Sequence, residues 1–90
     1  MRLVDLNPQW IKEGAGSERV IGIAFDCPHC IATGAEYIGH CAAKFAESDR
    51  LSGPVWRREG ETFDTLTISP SINTHGHWHG WIRNGEVIDA

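Results

Sequence analysis

Two short cysteine and histidine motifs constrain the fold of this 90-residue chain more than any other feature: Cys27 and Cys30 are separated by two residues, and His77 and His79 by one. Two thiolates at this spacing can bind one tetrahedral metal ion, at about 2.3 Å for each Zn–S bond. If residues 77–82 form a strand, both imidazoles lie on one of its faces and Trp78 on the other. The sequence therefore predicts a Zn²⁺ site formed by Cys27, Cys30, His77 and His79.

This site would connect distant parts of a small domain. The interval between Cys30 and His77 is 46 residues, whereas a usual zinc finger has an interval of about 12. Only 20 of the 90 residues are Val, Ile, Leu or Phe, and a chain this short buries only about 60% of the surface that its unfolded form exposes. A metal ion that closes so long a loop is expected to stabilise this small core.

The same residues allow other interpretations. The two thiols can form a redox dithiol or lie in the core, although the βαβ pattern that accompanies thioredoxin-like motifs is absent. The paired histidines can be exposed strand residues. Among the remaining donors, His29 is expected to be exposed and Cys41 to be a small core residue. Three residues can nevertheless replace a proposed ligand: His75, His40 and Cys41.

The expected coordination favours a structural over a catalytic metal. Two Cys and two His complete a tetrahedron, whereas a catalytic zinc usually keeps one position for water. The alternative is a small zinc-dependent hydrolase or deaminase with an open position, using Glu59, Glu61 or Glu86 as the base. Zinc deaminases carry His-x-Glu followed by Pro-Cys-x-x-Cys, and this chain has neither the His-x-Glu nor a proline directly before Cys27. No catalytic residue is therefore assigned, and a non-enzymatic protein is expected.

Composition excludes several classes of protein. A net charge of −4 and a pI near 5.6 argue against a nucleic-acid-binding protein, which normally carries a basic patch. No apolar run approaches the roughly 20 residues of a membrane span, and the first nine residues do not resemble a secretory signal. We expect a cytoplasmic protein, with residues 1–90 forming a single domain.

Short apolar stretches separated by turn residues predict a mainly β fold, a small antiparallel sheet or sandwich. Strands are expected at residues 3–6, 19–25, 55–57, 62–68, 77–82 and 86–88, with loops at 14–17 and 48–54. Asn84 and Gly85 predict a hairpin turn, and Pro70 predicts a bend or bulge. Residues 35–47 are ambiguous, since their apolar pattern fits a short helix or a strand; composition favours the helix slightly.

Four tryptophans are unusual in a chain of this length. Trp56 and Trp81 are expected to fill the core, where each can bury a large area. Trp78, on the strand face opposite the expected ligands, is predicted to be a partner-binding residue, because aromatic side chains are enriched at protein interfaces.

The C-terminal third carries a recognisable pattern, Trp56 and Gly60 followed by TFDTLTISPSI at 62–72 and HWHGWIRNGEV at 77–87. Together with FDCPHC at 25–30, it resembles an uncharacterised family of short phage and bacterial proteins. The resemblance covers residues 20–88 and is weakest over 31–55. Some members are labelled ammonia monooxygenase, but that enzyme is a large membrane protein, and no segment here is long and apolar enough to span a membrane.

The resemblance implies a compact β-rich domain with a Cys-x-x-Cys knuckle and a histidine-containing hairpin. His79 matches the family histidine, but other members have a cysteine directly before it, where this chain has Trp78. The resemblance also suggests a phage or prophage source. We therefore expect a zinc-stabilised accessory protein that binds a host or phage protein in the host cytoplasm, with an anti-defence role as one possibility and a homo-oligomeric phage component as another.

Overall fold

The computed structural model describes residues 1–45 and 55–90, and these form a mainly β structure with two antiparallel sheets and one short helix. A 3₁₀ turn at Leu3–Leu6 precedes the strands. The remaining elements, in chain order, are β1 (Gln9–Lys12), β2 (Val20–Asp26), α1 (Pro28–Thr33), β3 (His40–Lys44), β4 (Arg57–Glu59), β5 (Thr67–Thr74), β6 (Trp78–Arg83) and β7 (Glu86–Asp89). The predicted fold class is confirmed.

The first sheet has the order β1-β2-β3 and the second the order β4-β5-β6-β7. In the first sheet, Phe25 pairs with Cys41 and Asp26 with His40. This register puts the knuckle that follows β2 beside the residues that lead into β3. In the second sheet, Thr74 pairs with Trp78 at the end of the β5–β6 hairpin. Cys27 and Cys30 therefore lie near the end of the β2–β3 pair, and His77 lies at the end of the β5–β6 pair.

The two sheets share one core and contact each other through the backbone. The Trp56 N–H donates to the Lys44 carbonyl at 2.8 Å, and Phe45 forms a parallel bridge with Trp56. At the edge strand β7 the contact is with the N-terminal segment instead, where the Val87 N–H donates to the Met1 carbonyl. The largest fully buried side chains come from both sheets and the 3₁₀ turn: Leu3, Leu6, Ile23, Phe25, Phe45, Leu66, Ile68, Ile72 and Ile82.

Of the two alternatives for residues 35–47, the slightly favoured helix is wrong for the described part of the segment, because His40–Lys44 is a strand. Cys41 and Ala43 are buried while the residues between and beside them are exposed, which is the period-2 pattern of a strand with one buried face. Pairing with β2 therefore outweighs the helical preference of the alanines. The short helix lies earlier, at Pro28–Thr33. The predicted loop at 48–54 lies outside the described residues.

Two of the predicted strands are also corrected. Residues 3–6 form the 3₁₀ turn, and its two buried side chains, Leu3 and Leu6, are one turn of three residues apart. Most of 62–68 is a turn, closed by a hydrogen bond from the Thr65 N–H to the Thr62 carbonyl at 3.2 Å, and β5 begins only at Thr67. The predicted irregularity at Pro70 is confirmed, since the register shifts between Ile68 and Ile72.

The Asn84-Gly85 hairpin between β6 and β7 is confirmed, and both residues have positive φ, at 47° and 74°. A Cβ on Gly85 would also collide with the Asp64 carbonyl oxygen. We expect Gly85→Ala to lower the free energy of unfolding by about 2–3 kcal/mol, measured by urea denaturation.

Gly34→Ala is the matched control for this prediction. Gly34 has a φ of 67°, but a Cβ added to it would meet nothing within 4 Å, so it carries the left-handed strain without the collision. Its expected cost is about 1–2 kcal/mol. Equal losses in the two variants would contradict a role for the close approach to Asp64.

Candidate metal centre

The Cys-x-x-Cys motif forms a knuckle between β2 and α1. Cys27 is the N-cap of the helix, and its sulfur accepts a hydrogen bond from the Cys30 N–H at 3.4 Å. Pro28 occupies the start of the helix, where its missing N–H has no cost. Gly34 ends the helix in a left-handed conformation after only six residues. The turn therefore directs two buried sulfur atoms to the same place.

His77 reaches this knuckle from the second sheet. It lies in the turn between β5 and β6, where its N–H donates to the Thr74 carbonyl at 2.9 Å. The His77 Nδ1 atom lies 3.4 Å from the Cys30 sulfur. One ligand atom from each of Cys27, Cys30 and His77 lies within 4.8 Å of the other two.

These three side chains form a group that can hold a metal ion. In a tetrahedral site with bonds of about 2.0–2.3 Å, neighbouring ligand atoms are about 3.5–3.8 Å apart, so only a small contraction of the group is needed. Cys27 is fully buried and Cys30 nearly so, whereas His77 is exposed. The group thus has a buried sulfur side and a solvent-facing imidazole side.

The environment of Cys30 favours its thiolate. Hydrogen bonds from the Gly39 backbone and from the His77 side chain lower the pKa of this thiol, and burial opposes them less strongly. Cys41 behaves differently, because burial in the core raises the pKa of its thiol to about 11. Metal ions bind thiolates rather than thiols, so the lowered pKa of the Cys30 thiol favours coordination.

The structure does not bring His79 into this group. The strand β6 begins at Trp78, so His77 belongs to the turn and the i, i+2 rule does not apply to the pair. His79 is exposed on the outer face of β6, where its Nε2 lies 3.3 Å from the Ser71 hydroxyl. Its ring also lies beside Trp81, at a centroid distance of 6.3 Å.

The other candidate histidines also lie outside the group. His75 is exposed in the β5–β6 turn, and His29 is exposed on α1. His40 is exposed at the start of β3, with its Nδ1 3.3 Å from an Asp26 carboxylate oxygen. These positions are separate from the imidazole of His77, which is the only described histidine in the three-residue group.

The expected exposure of Trp78 is wrong, since only 4% of this residue is accessible. Its ring packs edge-on against Phe25 at 5.8 Å, and its Nε1–H donates to the Asp89 carboxylate at 2.8 Å. Along β6, residues 78, 80 and 82 are buried and the intervening ones face outward. The expectation that Trp81 fills the core is therefore also wrong, since Trp81 is half-buried on the outer face, while Trp56 packs against the edge of the core.

A cleft of about 220 Å³ lies beside the imidazole side of the group. His77 and Trp78 line it together with His29, His79 and Asp89. The three glutamates considered as catalytic bases are elsewhere. Glu86 is held by Arg2 at 2.6 Å and Glu59 lines a separate cleft, while Glu61 lies exposed in the turn after β4. Among the described residues, the carboxylate that lines the cleft beside His77 is that of Asp89, and it accepts the Trp78 hydrogen bond.

Gly39 is a positioning residue that no motif in the sequence indicates. Its carbonyl accepts the Cys27 N–H at 2.8 Å, and a Cβ built on it would lie 2.9 Å from the His77 ring. We expect Gly39→Ala to displace the imidazole and to weaken metal binding by about 10-fold, the lower end of the effect of disturbing a ligand's support. Competition with a chromophoric chelator measures this affinity.

Gly14→Ala is the control, because Gly14 has nothing within 4 Å of its Cβ position and lies far from the knuckle in the β1–β2 loop. Its metal affinity should equal that of the wild type. An unchanged affinity in Gly39→Ala would show that the His77 ring moves without cost or does not coordinate.

Comparison with known proteins gives no match: no family model fits the chain, and no curated protein and no solved structure is similar to it. The resemblance to short phage and bacterial proteins therefore stays a prediction from the motifs. Within the described residues, the one α-helix is six residues long, and no helix has the length and apolar character needed to cross a membrane.

Proposed function

We propose that this chain is a small zinc-stabilised module in which Cys27, Cys30 and His77 hold one structural Zn²⁺. The observation that carries the proposal is the convergence of their three ligand atoms within 4.8 Å of one another. The cysteines follow β2 of the first sheet, and the histidine precedes β6 of the second. A shared metal ion would therefore hold together two sheets that are distant in sequence.

The donor set supports zinc in particular. Two thiolates and one imidazole are typical zinc ligands, whereas Mg²⁺ and Ca²⁺ prefer oxygen donors. A structural role is favoured because Cys27 and Cys30 are buried and because the glutamates weighed as bases lie away from the cleft beside His77. The core is small, so a bound metal ion would contribute a large share of the folding free energy.

Replacing His77 tests the ligand assignment directly. We expect His77→Ala to weaken zinc binding by at least about 100-fold, since an imidazole bond to the metal is lost outright. His79→Ala is the matched control, two residues away and also exposed, and it should bind zinc as the wild type does. Metal content after purification without chelators, followed by competition titration, provides the measurement. The opposite ranking of the two variants would overturn the assignment.

We also propose that the module acts by binding a protein, as expected of an accessory protein. Support comes from the outer face of β6, where His79, Trp81 and Arg83 form a continuous row. The Arg83 guanidinium lies 5.2 Å from the Trp81 ring centroid, and the centroid of the His79 ring lies 6.3 Å from it. Tryptophan and arginine are the residue types most enriched at the energetic centres of protein interfaces.

The binding role is tested by comparing proteins captured from a bacterial host lysate by wild-type protein and by Trp81→Ala. A specific partner should be retained by the wild type and lost by the variant, with the folded state of both confirmed by their melting temperatures. Capture that is the same with both proteins, or no capture, contradicts this surface. Light scattering on the purified protein tests self-association through the same face.

A further inference from the structure

Cys41 lies on the same face of the first sheet as the knuckle. It is fully buried on β3 and pairs with Phe25 of β2, which is also fully buried. Cys27 follows β2 two residues after Phe25, and its N–H donates to the Gly39 carbonyl, two residues before Cys41. Cys27 and Cys41 are therefore diagonal neighbours on one face of an antiparallel pair, with their Cβ atoms somewhat less than about 7–8 Å apart.

Cys41 belongs to the same buried core cluster as Cys27 and Cys30. Burial raises the pKa of its thiol, and smaller effects come from the side chains of Thr74, which lowers it, and of Cys27 and Cys30, which raise it. Its sulfur nevertheless does not lie within 4.8 Å of all three atoms of the group. Three buried cysteines are therefore packed in one part of the core, and the sulfur of Cys41 lies outside the three-atom group.

We propose that Cys41 is the fourth ligand of the metal, so that the complete site is Cys27, Cys30, Cys41 and His77. This inference deepens the proposed function and rests on it. Three protein donors leave one tetrahedral position, and structural zinc sites fill it with protein, often as three cysteines and one histidine. Sulfur ligands in such a site are about 3.8 Å apart, so the Cys41 sulfur moves toward the metal while Cys27 remains its neighbour.

Coordination would change the chemistry of the Cys41 side chain. A protonated buried thiol behaves as a small apolar group, whereas a buried thiolate needs a compensating charge. When the metal binds, Cys41 loses its proton to solvent, the sulfur forms a metal bond, and the positive charge of the ion compensates the buried thiolate. The closed site would have no position for a reactive water molecule.

The alternative is a metal ion with its fourth position open to the cleft beside His77. This cleft lies on the imidazole side and is lined by polar side chains such as His29 and Asp89. The two arrangements differ in the number of sulfur ligands, three against two. Counting thiolates therefore decides between them without any assumption about activity.

Cobalt substitution makes this count, because the sulfur-to-cobalt charge-transfer absorption grows with each thiolate bound. We expect the wild type to show the intensity of three thiolates and Cys41→Ala that of two, with metal affinity at least about 10-fold weaker. The control is Ala43→Gly, which removes one carbon from the next buried position of β3. It should keep the full charge-transfer intensity.

X-ray absorption on the zinc-loaded wild type gives the same count without a variant, so the test does not depend on the folding of Cys41→Ala. Three sulfurs at about 2.3 Å and one nitrogen at about 2.0 Å are expected. The role of Cys41 would be overturned if X-ray absorption shows two sulfurs with additional nitrogen or oxygen ligands, and if the cobalt spectrum of Cys41→Ala equals that of the wild type. Both results would leave the three-residue site intact. No metal bound by the wild type would instead overturn the proposed function itself.

Discussion

Removing zinc from the purified protein with a strong chelator should unfold the domain at 25 °C, or lower its melting temperature by more than about 20 °C. Structural zinc contributes roughly 10–16 kcal/mol of apparent binding free energy in small zinc domains, whereas a whole domain is stable by only about 5–15 kcal/mol. The proposed ligands lie beside both sheets, in the knuckle after β2 and in the turn before β6, and the two cysteines are buried in the shared core. Loss of the ion would therefore affect the packing of both sheets. Thermal unfolding followed by circular dichroism, with and without chelator, measures the effect.

The control for this experiment is a variant that cannot bind the metal. Cys30→Ala removes the sulfur that contacts His77, so its melting temperature should already be low and should not respond to chelator. Addition of zinc should restore the chelated wild type but not the variant. A wild-type melting temperature that is the same before and after chelation would contradict a structural role for the metal.

Local patterns were enough to predict those parts of the fold that depend on neighbouring residues. The Asn84-Gly85 turn, the β-branched strand that ends at Asp26 and the irregularity at Pro70 each follow from steric or hydrogen-bonding properties of a few residues. The Cys-x-x-Cys knuckle belongs with them, because its geometry is contained in four residues. Grouping both cysteines with His77 needed one further condition, namely that the turn between β5 and β6 lies close to the knuckle.

The rest depended on which face of a strand meets the core and on long-range pairing. The alternation along residues 77–82 was predicted, but alternation alone does not say which of the two faces is buried. The structure buries residues 78, 80 and 82, so Trp78 lies in the core and His79 lies on the outer face, away from the three-residue group. The segment before Phe45 satisfied both a helical and a strand pattern, and only its pairing with β2 decides between them. The nearness of Gly39 to His77 likewise arises from tertiary structure alone.

Replacing Trp78 with alanine should lower the free energy of unfolding by about 3–5 kcal/mol, which corresponds to roughly 12–40 °C in melting temperature for a chain of this size. The side chain is almost fully buried, packs edge-on against Phe25 and covers Gly80, where the indole ring fills the space that a Cβ would take. The substitution also removes the hydrogen bond to Asp89. Urea denaturation of the zinc-loaded protein measures the loss.

Trp81→Ala is the matched control, because the same side chain is removed three positions along the same strand but from its outer face. Its contacts with Arg83 and His79 are at the surface, and surface substitutions usually change stability by less than about 1 kcal/mol. A loss of stability in Trp81→Ala as large as that in Trp78→Ala would contradict the assignment of faces. A large loss of stability in Trp78→Ala alone would support the placement of Trp78 on the buried face of β6 and Trp81 on the outer face. The two variants then separate stability from recognition, because Trp78 packs in the core beside the candidate metal centre and Trp81 faces outward, where the proposed partner would bind.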